Sequence, residues 1–154
     1  MITKELELLS PEDLLGAVVQ LLEEGYDAEF TVTGTSMWPL LAHGRDRVTL
    51  RKTVASDVRK GDIVLYRAEQ GYLLHRVMKA KKGVIKTAGD YNCYYDKEVS
   101  ADCVLGKAVG FTRKGKHVLC SSLLYRMSSF VWRVMYPLRP LLLRLLLKFR
   151  RRSR

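Results

Sequence analysis

The sequence predicts a mainly β protein: a body of short strands, with an N-terminal helix before it and a basic amphipathic helical tail after it. Three observations carry this. Apolar residues recur at three- and four-residue spacing before Gly25 and at two-residue spacing after it. Glycines punctuate the alternating runs. Charge then sets the end of the chain apart. Of 27 basic and 16 acidic residues in 154, residues 103–154 hold 13 basic and no acidic ones, which leaves 14 and 16, a net of −2, in residues 1–102. The length fits one domain with an appendage, and 47% hydrophobic content is enough for a core.

In chain order, Ser10 is a good N-cap, Pro11 fits the first helical position, and Asp13 stands where a capping-box acid belongs. Leu14, Leu15, Val18, Leu21 and Leu22 make one apolar face, and Gly25 ends the helix. Residues 1–28 are therefore expected to be a helical segment packed on the body. Glu29–Thr33, Arg47–Leu50, Ile63–Arg67, Tyr72–Lys79 and Val84–Thr87 read as strands, followed by Val104–Thr112 and Lys116–Leu119 turned at Lys114-Gly115. Together they make a β body over residues 29–120. The tail, 121–154, is helical in pattern over Leu123–Tyr136, broken at Pro137 and Pro140, and resumed over Leu141–Phe149. Arg126 shares a face with Arg133, and Arg144 with Lys148 and Arg151, while leucines, Phe130, Trp132 and Tyr136 fill the other face.

Several classes are disfavoured. Cys93, Cys103 and Cys120 are odd in number and lack C-x-x-C spacing, so neither a disulfide scaffold nor a zinc site is indicated. Nothing calls for a cofactor or metal. The acidic first 30 residues are the reverse of a secretory signal. The longest uncharged stretch of the tail is the nine residues His117–Tyr125, against about 20 for a spanning helix.

Chemistry concentrates in three places. Thr33-Gly34-Thr35-Ser36-Met37-Trp38-Pro39-Leu40 follows a strand, with a serine held between a glycine and a proline. Such a turn can expose a hydroxyl and aim consecutive N–H groups at one point, although most serine turns are only turns. His75 stands in the strand Tyr72-Leu73-Leu74-His75-Arg76-Val77, on the face of Leu73 and Val77. A lone histidine in an apolar strand is usually a satisfied core residue. Gly89-Asp90-Tyr91-Asn92 is a turn, with Asp96 six residues beyond Asp90.

In this order, G-x-S-M-x-P, G-D with three apolar residues, H-R-V, and G-D-x-N with a following aspartate resemble the signal peptidase I family, over about residues 30–111. That family belongs to the clan that also holds the self-cleaving SOS repressors. The position of the family's lysine base is His75 here, which resembles the histidine subtype of endoplasmic-reticulum, archaeal and some spore-former enzymes. A free imidazole accepts a proton near neutral pH without the desolvation a lysine needs. The resemblance implies Ser36 as nucleophile, His75 as general base and then acid, and Asp96 as its orienting acid, with Asp90 second. It further implies an oxyanion site at the backbone N–H groups of Ser36 and Thr35, and Met37, Trp38 and Pro39 shaping a substrate cleft. The serine that many members carry two positions before the nucleophile is Gly34 here. The implied substrate is a precursor polypeptide bound as an added strand and cut after a signal or leader peptide.

The chain departs from the family where a transmembrane anchor is expected before the serine. Its basic, leucine-rich tail is instead expected to lie on an anionic membrane surface, at the cytoplasmic face of the inner or plasma membrane. A helix packed on the body is the second reading of the tail. Nucleic acid is disfavoured as a partner, because basic arms for DNA are polar. Two alternatives to the peptidase are a self-cleaving SOS-repressor-like regulator, for which 30 residues before the serine turn leave no room for a DNA-binding domain, and a catalytically idle membrane-associated scaffold.

Overall fold

The structure, a computed structural model, describes residues 10–69 and 71–152. Residues 1–9 of the expected N-terminal segment and 153–154 of the tail lie outside the described residues. The protein is mainly β, with an antiparallel sheet of eight strands flanked by an N-terminal helix and C-terminal helices.

Helix α1, Pro11–Glu23, starts as the sequence predicts: the Asp13 N–H donates to Ser10 Oγ at 3.2 Å, and the Ser10 hydroxyl donates to Asp13 Oδ2 at 2.6 Å. Leu14, Val18, Val19 and Leu22 bury one face in the main core, with Phe30, Leu50 and Ala108 among their cluster. Each such side chain contributes about 1.5–3 kcal/mol by leaving water. Gly106 makes the contact possible, because a Cβ there would stand 2.8 Å from Leu22 Cδ1 and 3.0 Å from the Arg51 carbonyl oxygen.

The strands are β1 (Ala28–Thr31), β2 (Asp46–Lys52), β3 (Ile63–Ala68), β4 (Gly71–Lys81), β5 (Val84–Ala88), β6 (Val99–Ser100), β7 (Val104–Arg113) and β8 (Lys116–Leu119). Their order is β1-β2-β7-β3-β4-β5-β6, with β8 also paired to β7. The expected strands are all present with ends shifted by a few residues. β6 was not foreseen, since two residues carry no alternation. Register shifts at Thr49/Leu50, Leu65/Tyr66 and Val77/Lys79 bend the sheet.

Pairing sorts the residues that matter onto two faces. His75 is opposite Val64, and Val77 is opposite Thr87, so these four share a face with Tyr66 and the small core of Val58, Ile85 and Val104. Arg76 is opposite Ile63 and Ala88 and takes the other face, toward the main core that holds Met37 and Leu41.

The tail forms helices α2 (Leu123–Val134) and α3 (Arg139–Arg152), joined by a 3-10 turn at Tyr136–Leu138. Pro140 does not break a helix as expected. It is the second residue of α3, where an amide hydrogen is not needed. The tail is docked, since Tyr125, Ser129, Arg139 and Leu143 are buried. The expected division of its faces is also corrected. Phe130 points outward with the leucines, whereas Trp132 and Tyr136 are half-buried and cradle the guanidinium of Arg139, at 5.4 and 4.5 Å from their ring centroids. Among the described residues no helix is long and apolar enough to cross a membrane. Cys103 and Cys120 are half-buried and Cys93 is exposed; burial pushes the Cys120 thiol up to about 11.

Candidate active site

Strand β4 delivers His75 almost fully buried, and its Nδ1 meets Asp96 Oδ2 at 2.7 Å. Asp96 comes from the loop after β5. Its N–H donates to the Thr87 carbonyl at 2.9 Å, so the loop runs beside β5 before turning away. The same Oδ2 accepts the Thr87 hydroxyl at 2.7 Å and the Tyr66 hydroxyl at 3.2 Å. Burial alone would raise the Asp96 carboxyl. The hydrogen bond and charge of His75, with the two hydroxyls, outweigh burial and hold it below its ordinary value. An ionised Asp96 fixes the imidazole with its proton on Nδ1, which leaves the lone pair on Nε2. Burial also lifts the Tyr66 phenol well above its usual range, so it stays a neutral donor.

Ser36 lies in the turn between β1 and β2, half-buried. Its carbonyl oxygen accepts the Tyr91 N–H at 2.8 Å, which seats the serine turn on the turn at 89–92. Gly89 has no room for a side chain: a Cβ would stand 2.6 Å from the Ser36 carbonyl oxygen and 2.9 Å from Asn92 Nδ2. Both are contacts that real Cβ atoms do not make, and the first is with backbone. Gly89→Ala is therefore expected to push the serine turn off its seat at a cost of about 1–3 kcal/mol, read as a lower melting temperature. Gly16→Ala, with open space around it, is the control and should not lower the melting temperature.

A second brace holds the far end of the serine turn. Asp46, wholly buried, accepts the Ala42 N–H at 2.8 Å and ion-pairs with Arg45 at 2.6 Å and Arg113 at 2.8 Å. Arg45 also donates to the carbonyls of Pro39 and Leu40, and Arg113 to that of Leu40. Burial opposes the Asp46 charge, but these hydrogen bonds lower its carboxyl from 3.8 to about 2. The folded chain thus binds fewer protons there than the unfolded one. The gain, on the order of 2 kcal/mol, is full above about pH 4 and lost as pH falls toward 2. Thermal melts of the wild type should fall across that window, and Asp46→Asn should be less stable at pH 7 and flatten the fall.

The structure brings some expected site residues together and separates others. His75 and Asp96 are in direct contact, and Ser36 is joined through its carbonyl to the turn at 89–92, the start of the loop that carries Asp96. Among the described residues, the Ser36 hydroxyl has no hydrogen-bond partner, so no bond joins it to His75. The N–H groups of Thr35 and Ser36 likewise donate to no protein acceptor among the described residues. Asp90, the second candidate for orienting His75, is corrected: it forms a fully buried two-pronged pair with Arg76, at 2.8 and 2.7 Å, on the opposite face of β4. Neighbouring residues of a strand point to opposite faces, so the acid that serves Arg76 cannot also serve His75. Met37 is also corrected, because it is 3% exposed within the main core and anchors the turn rather than shaping a cleft. Trp38 and Pro39 remain half-buried, with Trp38 edge-on to Tyr91 at 5.9 Å.

Other contributors were missed by sequence reasoning. Tyr66 and Thr87 complete the shell around Asp96, and nothing in their local sequence marks them. Arg76 carried a signal that went unused, since a charged residue in an apolar strand needs a buried partner. Arg76 donates to Ser129 Oγ at 2.6 Å and to the Gly61 carbonyl at 3.0 Å, and the charge and hydrogen bonds of Asp90 outweigh burial and raise its pKa. Arg139, reaching in from α3, donates to the carbonyls of Gly89 at 2.9 Å and Asn92 at 3.0 Å. A cavity of about 1190 Å³ runs between α2 and strands β7 and β8 and holds none of Ser36, His75 or Asp96.

No protein-family model and no curated protein matches the chain. The described residues thus hold a buried imidazole oriented by a carboxylate, and a serine turn, seated on the loop that carries that carboxylate, whose Thr35 and Ser36 N–H groups have no protein acceptor.

Proposed function

We propose that this chain is a serine endopeptidase of the signal peptidase type, which removes signal or leader peptides from precursor polypeptides. The observation that carries this reading is the buried 2.7 Å contact of His75 Nδ1 with Asp96 Oδ2, made from the same loop whose turn at 89–92 seats the serine turn. In this reading Ser36 Oγ attacks the scissile carbonyl while His75 Nε2 takes its proton. The N–H groups of Ser36 and Thr35 stabilise the oxyanion, and the Asp96 carboxylate stabilises the imidazolium. His75 then protonates the leaving amine, and a water activated by the same nitrogen releases the acyl group from Ser36.

The test is labelling of the full chain with a serine-directed acylating probe, read by mass spectrometry. The expected result is one adduct, on Ser36, lost in His75→Ala. An absent adduct, or labelling that His75→Ala leaves unchanged, would overturn the reading in favour of an idle scaffold. Purified protein incubated alone should remain intact; cleavage of its own chain would favour the self-cleaving regulator instead.

A further inference from the structure

Helix α2 faces the opposite way from an ordinary packed helix. Leu123, Leu124, Met127, Phe130, Val131 and Val134 form one stripe at helical spacing, and all are exposed, Leu124 by 83%. The residues it buries are Tyr125 and Ser129. Helix α3 and the turn before it repeat the pattern, with Leu138, Leu141, Leu145 and Phe149 exposed while Arg139 and Leu143 are buried. Exposed apolar stripes on two successive helices mark an interaction site.

We propose that the outer face of α2 and α3 docks into the interfacial layer of an anionic lipid bilayer. The charge around it selects this occupant. Arg126, Arg144 and Lys148 are exposed on the same two helices, and neither helix carries an acidic residue. A second copy of the chain would bring the same positive charge against itself, whereas anionic headgroups neutralise it while the leucines enter the acyl boundary. Neither helix is long and apolar enough to cross the bilayer, so the pair lies in the plane. The inner side of the pair is tied to the candidate site. Tyr136 stacks on Tyr95, the neighbour of Asp96, with ring centroids 4.5 Å apart, and Arg139 holds the carbonyls of Gly89 and Asn92. Docking therefore holds the site next to the lipid surface.

The test is co-sedimentation of the full chain with phosphatidylcholine vesicles, with and without about one-third phosphatidylglycerol. Binding should be at least about tenfold tighter to the anionic vesicles, and this preference should be lost in about 0.5 M salt. Phe130→Gln, Leu141→Gln and Leu145→Gln combined, all at exposed positions, should weaken binding at least about tenfold at unchanged melting temperature. Arg144→Gln with Lys148→Gln should reduce the anionic preference but leave residual binding. Absence of binding to anionic vesicles, or equal binding to both kinds, would overturn the proposal. So would a lipid-free dimer that the triple variant dissociates, which would assign the face to a second copy. None of these readouts depends on peptidase activity, so the proposal stands or falls apart from the proposed function.

Discussion

In the proposed peptidase, Ser36→Ala is expected to lower precursor cleavage by about a thousandfold or more while leaving the melting temperature nearly unchanged. The two halves have separate causes. Without the hydroxyl no acyl-enzyme can form, so only the binding and oxyanion contributions survive. The fold loses little, because the Ser36 side chain makes no hydrogen bond among the described residues and is only half-buried. What locks the turn is backbone and neighbours: the Tyr91 N–H on the Ser36 carbonyl, Met37 in the core, and the Asp46 clusters at the far end. Alanine keeps all three. Steady-state kinetics on a precursor peptide, with a melt of the same sample, checks both halves. Activity within tenfold of wild type would remove Ser36 from the mechanism.

The second large effect is a contrast between two aspartates six residues apart. Asp96→Asn is expected to lower kcat by about a thousandfold or more with a modest change in stability. An asparagine amide in place of Oδ2 can donate to Nδ1, which moves the imidazole proton to Nε2 and removes the base. Asp90→Asn is expected to do the reverse. It leaves the Arg76 guanidinium, 1% exposed, without its counter-charge, at a cost of about 3–5 kcal/mol. In a chain of this size that lowers the melting temperature by roughly 10 °C. Paired melts and kinetics on the two variants, measured below the melting transition of each, separate the roles. Loss of activity in Asp90→Asn at unchanged stability, with Asp96→Asn active, would exchange the assignments.

This contrast also shows where the sequence stopped being informative. Alternation alone placed His75 on the face of Leu73 and Val77 and so separated it from Arg76. Which aspartate meets which partner depends on how the loop after β5 folds back, and that path is held by a backbone bond, Asp96 N–H to the Thr87 carbonyl, and by the hydroxyls of Thr87 itself and of Tyr66 on β3. Local sequence has no access to such contacts. Met37 fails for a related reason. Its position beside Ser36 suggests a cleft, yet an unbranched apolar side chain next to an open core is drawn inward.

By itself the sequence determined the fold class, the α1 cap, the placement of nearly every strand, and the concentration of positive charge after Asp102, because each follows from local periodicity, turn chemistry or composition. The tertiary structure alone decided that Arg139, some fifty residues beyond the turn at 89–92, closes onto its carbonyls. It also decided that Ser129 covers Arg76, and that the tail turns most of its leucines outward rather than into the core. The physical reason is that an amphipathic pattern specifies only that a helix has two faces. Which face meets the body is decided by the buried groups waiting there, and here these are a guanidinium and bare carbonyls, which a serine and an arginine satisfy and a leucine cannot.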